Sequence, residues 1–271
     1  MHRVVCLLIG AWSALLTASL DGTAAESATG KNRVSPWPDL YEVIESPEAD
    51  RLVRRGLELG QKWLGKPRYK PRKVQLRLSK PRDPTRKIKT GFSLTELSDP
   101  KAGVFTIYLS ARTDQKSFHG LLAHEIFHVF QPQVKDVYME GFVTYLAEKL
   151  CRAEGLQWEI WQKHFEADGD PVYGGAFKLM KELEKIVGEE ALFKLIRYRT
   201  KKRPARRSKD GPNVLDVEHI DIDRWLDALD TEARDRARRT IAARYLDLET
   251  ARRKTHADYG FRRPRVPGNG R

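Results

Sequence analysis

The chain has 271 residues, with 50 Lys plus Arg against 37 Asp plus Glu for a formal net charge of +13, and 40% of its residues are hydrophobic. That balance excludes a wholly disordered chain and a multi-span membrane protein, and the length allows one large domain or two small ones with a real core. The basic excess suits an anionic partner but decides neither fold nor chemistry.

In chain order, Met1-His2-Arg3 is a short basic start to the apolar run 4–20, and Thr23-Ala24-Ala25 supplies small residues for cleavage before Glu26. An apolar run of about 17 residues is at the short edge for a membrane span, so residues 1–25 read as a Sec-type signal peptide. The mature protein is then secreted or periplasmic, with no integral span after cleavage. The alternative is a membrane anchor formed by an uncleaved N-terminal segment. Cleavage would remove Cys6 and leave Cys151 without an internal disulfide partner, as a small buried hydrophobe. Residues 26–45 are polar and contain proline, and they read as an extended leader.

A single domain over 46–256 follows. Ser46 as N-cap, Pro47 at the first helical position and Glu48 and Asp50 in the first turn predict a helix that Gly65-Lys66-Pro67 ends. The period then changes: Val74, Leu76 and Leu78 alternate with polar residues, as do Phe92 and Leu94 less clearly, and 104–109 is β-branched and aromatic. Three or four strands are expected over 72–110. From Ser117 the spacing is helical, with helices predicted at 117–131, 137–154, 156–166, 172–187, 189–199, 222–229 and 231–256. Residues 199–213 read as a basic loop and 257–271 as a basic tail. The fold class is α+β, a small N-terminal mixed sheet followed by a mainly helical C-terminal half.

The predicted helix 117–131 contains His124-Glu125-Ile126-Phe127-His128, a His-Glu-x-x-His pattern. Two histidines four residues apart lie within about 40° on one helical face, so both imidazoles can grip one Zn²⁺. Glu125 is rotated off that axis, where it can receive a proton from the metal-activated water. A third ligand is required. A third histidine fails, because Gln131 and Val134 occupy the positions that would carry it. Glu140, early in the next helix and beside Gly141, is the first candidate, with Glu148 and then Asp136 in reserve. Gly141 would let its helix approach the metal closely. Tyr138 and Tyr145 are candidate oxyanion donors or packing residues. His119, His164, His219 and His256 have no motif context and read as structural or exposed.

His124-Glu125-x-x-His128 followed by Glu140-Gly141-Phe142-x-x-Tyr145 resembles the gluzincin zinc metallopeptidases, particularly compact peptidase MA-like proteins. Tyr173-Gly174-Gly175-Ala176 is similar to the tyrosine segment that follows the metal helices in aminopeptidase-type gluzincins. The resemblance implies a zincin-like catalytic domain, one Zn²⁺ per chain, a peptide or protein substrate, and oxyanion stabilisation by Tyr173. No Gly-x-Met-Glu-Asn segment precedes the zinc helix, so the expected activity is that of an endopeptidase. The strand at 104–109 is expected to be the active-site edge strand, able to pair with an extended peptide. Two other functions stand beside this one: a non-catalytic zinc protein held on anionic surfaces by its basic segments, and a gluzincin-like hydrolase of a non-peptide bond.

The charge is segregated. Residues 66–89 carry 11 Lys and Arg against one acid, 197–209 carry 8 against none and 252–271 carry 7 against one, whereas 117–190 hold 7 basic and 13 acidic residues. The basic segments therefore flank an acidic core that holds every candidate catalytic group. They offer weak binding to anionic polymers and no motif for a specific nucleic acid partner.

Overall fold

The computed structural model describes residues 40–80, 93–110, 115–166, 171–200 and 217–265. The proposed signal peptide, residues 26–39 of the leader and 201–213 of the basic loop lie outside these. The elements run β1 (Tyr41–Val43), α1 (Pro47–Leu64), β2 (Lys73–Ser79), β3 (Leu94–Asp99), β4 (Val104–Leu109), α2 (Phe118–His128), α3 (Val137–Ala153), α4 (Glu159–Glu166), α5 (Pro171–Val187), α6 (Glu189–Phe193), α7 (Ile222–Asp227) and α8 (Thr231–Thr255). The chain is α+β, with a small mixed sheet and a helical C-terminal half.

Local chemistry accounts for the boundaries. Ser46 Oγ accepts from the Ala49 amide at 3.3 Å to start α1, which Gly65 ends at φ 86°. Asp136 caps α3 through the Tyr138 amide and Asp230 caps α8 through the Ala233 amide, each at 2.9 Å. The single helix expected over 189–199 is instead α6 followed by a 3-10 turn at Leu195–Arg197, because Arg199 leaves the helical path to bridge Ile220.

The strand order is β1-β2-β4-β3, with β2 and β4 parallel and the outer pairs antiparallel. This corrects the expectation for 104–109. Phe105, Thr106, Ile107, Tyr108 and Leu109 are all buried, so β4 is covered on both faces and sits inside the sheet, whereas β3 forms the edge. Residues 41–43, at the end of the expected leader, form the other edge, too short a strand to show alternation in sequence.

Beneath the sheet, α2 is apolar on nearly all sides and buried among β3, β4, α1 and α3, as an all-round hydrophobic helix must be. α3 packs between α2 and α5, and α5 packs in turn on α8. Gly141 admits α5: a Cβ there would stand 2.5 Å from the Ala176 carbonyl oxygen. Its small size thus serves helix packing rather than approach to a metal. Cys151 is fully buried, and burial pushes its thiol up to about 12. Among the described residues no helix is long and apolar enough to cross a membrane.

The chain end returns to the start of α3. The Gly260 amide donates to the Lys135 carbonyl at 3.0 Å, the Val137 amide donates to the Gly260 carbonyl at 2.9 Å, and the Tyr138 hydroxyl donates to the Arg262 carbonyl at 2.8 Å. Gly260 and Arg262, in the expected basic tail, are therefore bonded to the start of the helix that carries Glu140.

Candidate metal centre

His124 and His128 project from the same face of α2, and residues 129–136 reverse the chain so that the first turn of α3 brings Glu140 against them. Glu140 Oε2 lies 3.2 Å from His124 Nε2 and 3.4 Å from His128 Nε2, and the two Nε2 atoms are 3.2 Å apart. Three donors on one tetrahedral zinc, each at about 2.0–2.1 Å, would stand about 3.3–3.4 Å from one another. The donor triangle thus has the size of one face of a zinc site, and it is the group of side chains among the described residues that could hold a metal ion.

The protonation pattern also fits. Thr144, one turn after Glu140, donates its hydroxyl proton to the Glu140 carbonyl at 2.7 Å, so its oxygen accepts from His124 Nδ1–H at 3.1 Å. That fixes the tautomer and leaves a lone pair on His124 Nε2, directed at the triangle. Two imidazole nitrogens and a carboxylate oxygen converging this closely need a proton or a cation between them. Burial opposes ionisation of Glu140, but the charge on His128 and its hydrogen bond hold the Glu140 carboxyl far below the usual carboxylate range. Burial likewise opposes protonation of His128, and the Glu140 carboxylate reverses this, so His128 is raised.

Glu125 is 4% exposed and stands apart from the donor triangle. Its carboxyl is raised by burial, against the charges of His128 and His124. Thr95 Oγ1, on edge strand β3, lies 2.6 Å from the Glu125 carbonyl and 2.9 Å from its Oε2, tying the sheet edge to this residue.

The reserve ligands are occupied elsewhere. Glu148 pairs with Arg152 at 2.9 Å and Lys181 at 3.1 Å, and Asp136 is the α3 cap. Both rival tyrosines point away, Tyr138 to Arg262 and Tyr145 to Glu184 at 2.6 Å. The Tyr173 ring lies 5.9 Å from the His124 ring. His119 pairs with Glu48 at 3.0 Å, His164 packs on Trp161 and Phe165, and His219 Nδ1 is 2.8 Å from the Lys135 carbonyl.

His256 belongs with the site. It is buried, edge-on to Tyr173 at 5.2 Å and 5.0 Å from the Tyr259 ring, and the Tyr259 phenol is in hydrogen-bonding contact with Tyr173. Burial and the Glu140 charge raise the Tyr259 phenol well above its ordinary value. Sequence reasoning missed Thr95, Thr144 and Tyr259. Only Thr144 carried a local signal, a small polar residue one helical turn from Glu140 on a buried face. Neither a family model, nor a curated protein, nor a solved structure matches this chain.

Proposed function

We propose that the protein is an exported, zincin-like, zinc-dependent endopeptidase. The observation that supports this best is the zinc-sized donor triangle of His124, His128 and Glu140, with the buried carboxyl of Glu125 next along the same helix. When bound there, zinc supplies an acidified water and a Lewis acid for the scissile carbonyl.

The side chains do the rest. Glu125, whose raised carboxyl is shifted toward the working pH, accepts the proton of the attacking water and returns it to the departing amine. The Tyr173 phenol donates to the carbonyl oxygen as it becomes anionic, a contribution of about 2.7–4 kcal/mol for a well-placed donor. Tyr259 and His256 hold that phenol on the His124 side. Substrate adds as an extended strand to the outer edge of β3, which pairs on one side with β4 and touches Glu125 through Thr95.

The test compares the zinc-loaded wild type with Glu125→Gln on a peptide library. The substituted protein should keep its zinc and lose cleavage by about 10²–10⁴-fold. A folded, zinc-loaded wild type that cleaves the library no faster than Glu125→Gln removes the peptidase reading. Export is checked separately, by whether the mature chain begins at Glu26.

A further inference from the structure

The basic runs 66–89 and 197–209 are far apart in sequence, yet their described ends meet. Lys66 and Arg68, just past the end of α1, face Arg197 and Arg199 across an open cleft of about 360 Å³, with Gln131 between them. Among the described residues no acidic side chain lines that cleft.

Two of the four cations are held in place from behind. Glu218, buried beneath the cleft, accepts from Arg68 Nη1 at 2.6 Å and Arg199 Nη1 at 3.4 Å, and Arg199 also donates to Gln131 Oε1 at 2.6 Å. Among the described residues Lys66 and Arg197 are exposed and have no carboxylate partner. Helix ends explain part of this charge: α1 and α2 both terminate beside the cleft, and each C-terminus carries about half a negative charge. With the Glu218 carboxylate they offset about two of the four positive charges, leaving about two uncompensated. Pre-set guanidinium forks with spare charge of that size match a dianionic tetrahedral oxyanion.

We propose that this cleft is a binding site for a terminal phosphate group, either free phosphate or a phosphomonoester. Arg68 and Arg199 supply the fixed donors, and Lys66 and Arg197 close on the ligand. The site is independent of the peptidase reading.

The experiment is titration calorimetry of the full zinc-loaded chain with inorganic phosphate and with phenyl phosphate, in chloride buffer at constant ionic strength. Wild type should bind one equivalent of at least one of them. Lys66→Ala combined with Arg197→Ala, both exposed and unpaired, should weaken that binding at least about tenfold with the zinc content unchanged. Preference for inorganic phosphate identifies the free ion as ligand, and preference for phenyl phosphate identifies a monoester. No binding of either probe overturns the proposal. So does equal affinity after the double substitution, which would mark binding at the metal or diffuse charge attraction.

Discussion

Two glutamates lie eight residues apart on α3, both buried, at 4% and 6% exposure, in opposite surroundings. Glu148 sits in the C-terminal half of the helix between Arg152 and Lys181, so its charge is met by two permanent cations. Glu140 sits in the first turn and meets two imidazoles, neither of them a permanent cation. A buried carboxylate with cationic side chains around it needs nothing further, whereas one facing only lone-pair donors is left needing a cation. The first turn is also the more firmly held, by the Asp136 cap and the returning Gly260 and Arg262.

The largest effect should come from exchanging the two carboxylates' fates. Glu140→Ala should weaken zinc binding by more than about a hundredfold, since even the partners of ligands contribute 10–100-fold, and chelator competition measures it. Glu148→Ala should leave zinc affinity unchanged and lower stability to denaturant by about 1–2 kcal/mol, a figure reduced because both of its cations are partly exposed. Zinc lost on the second substitution and kept on the first would invert the assignment.

Next in size is the support of His124. Thr144→Val removes the acceptor that fixes its tautomer and should cost about 10–100-fold in zinc affinity, while Thr144→Ser restores it. If valine binds zinc as threonine does, the hydroxyl does not set the tautomer. A smaller effect is expected at the chain end. At Gly260 a Cβ would meet His219 Nδ1 at 2.2 Å and Asp136 Oδ2 at 2.8 Å, so Gly260→Ala should loosen the strap on the first turn. The cost is about 1–3 kcal/mol in thermal unfolding, with zinc affinity down by less than tenfold. A Gly260→Ala protein that melts with the wild type would show that the strap does not stabilise the first turn.

Where the chemistry is periodic, it is legible in the chain. The two histidines and Glu125 share one helical turn and a half, and Ser46-Pro47, Asp136 and Asp230 begin helices where their side chains cap amides. Glu140 could be ranked ahead of Glu148 by its closeness to the histidines, but the decisive fact, that Arg152 and Lys181 occupy Glu148, depends on how α5 packs. Thr95 reaches Glu125 from 30 residues away, and His256 and Tyr259 reach Tyr173 from 256 − 173 = 83 and 259 − 173 = 86 residues away, and no local pattern marks such neighbours. The exchange of β4 for β3 at the sheet edge has the same origin. An apolar, β-branched run identifies a strand, and only its burial on both faces tells that it lies inside.

The smallest expected effect concerns pH in the zinc-free protein. Glu140 is lowered from 4.5, so its contribution to stability is fully present above that value and is lost as pH falls through its depressed folded value. His128 is raised from 6.5, so its contribution is full below that value and declines as pH rises through the elevated folded value. In the chelated protein this pair should therefore contribute most between about pH 4.5 and 6.5, and progressively less above that window. Zinc reverses the upper limit, because ligation needs neutral imidazoles and so strengthens as pH rises toward neutrality. Glu140→Gln removes the main carboxylate that raises His128, and should reduce the decline above pH 6.5 in the chelated protein. Melting curves of both proteins across pH 4–8, with and without zinc, measure this, and a chelated wild type whose stability keeps rising through pH 7 would show that the Glu140–His128 pair is not what holds the empty site together.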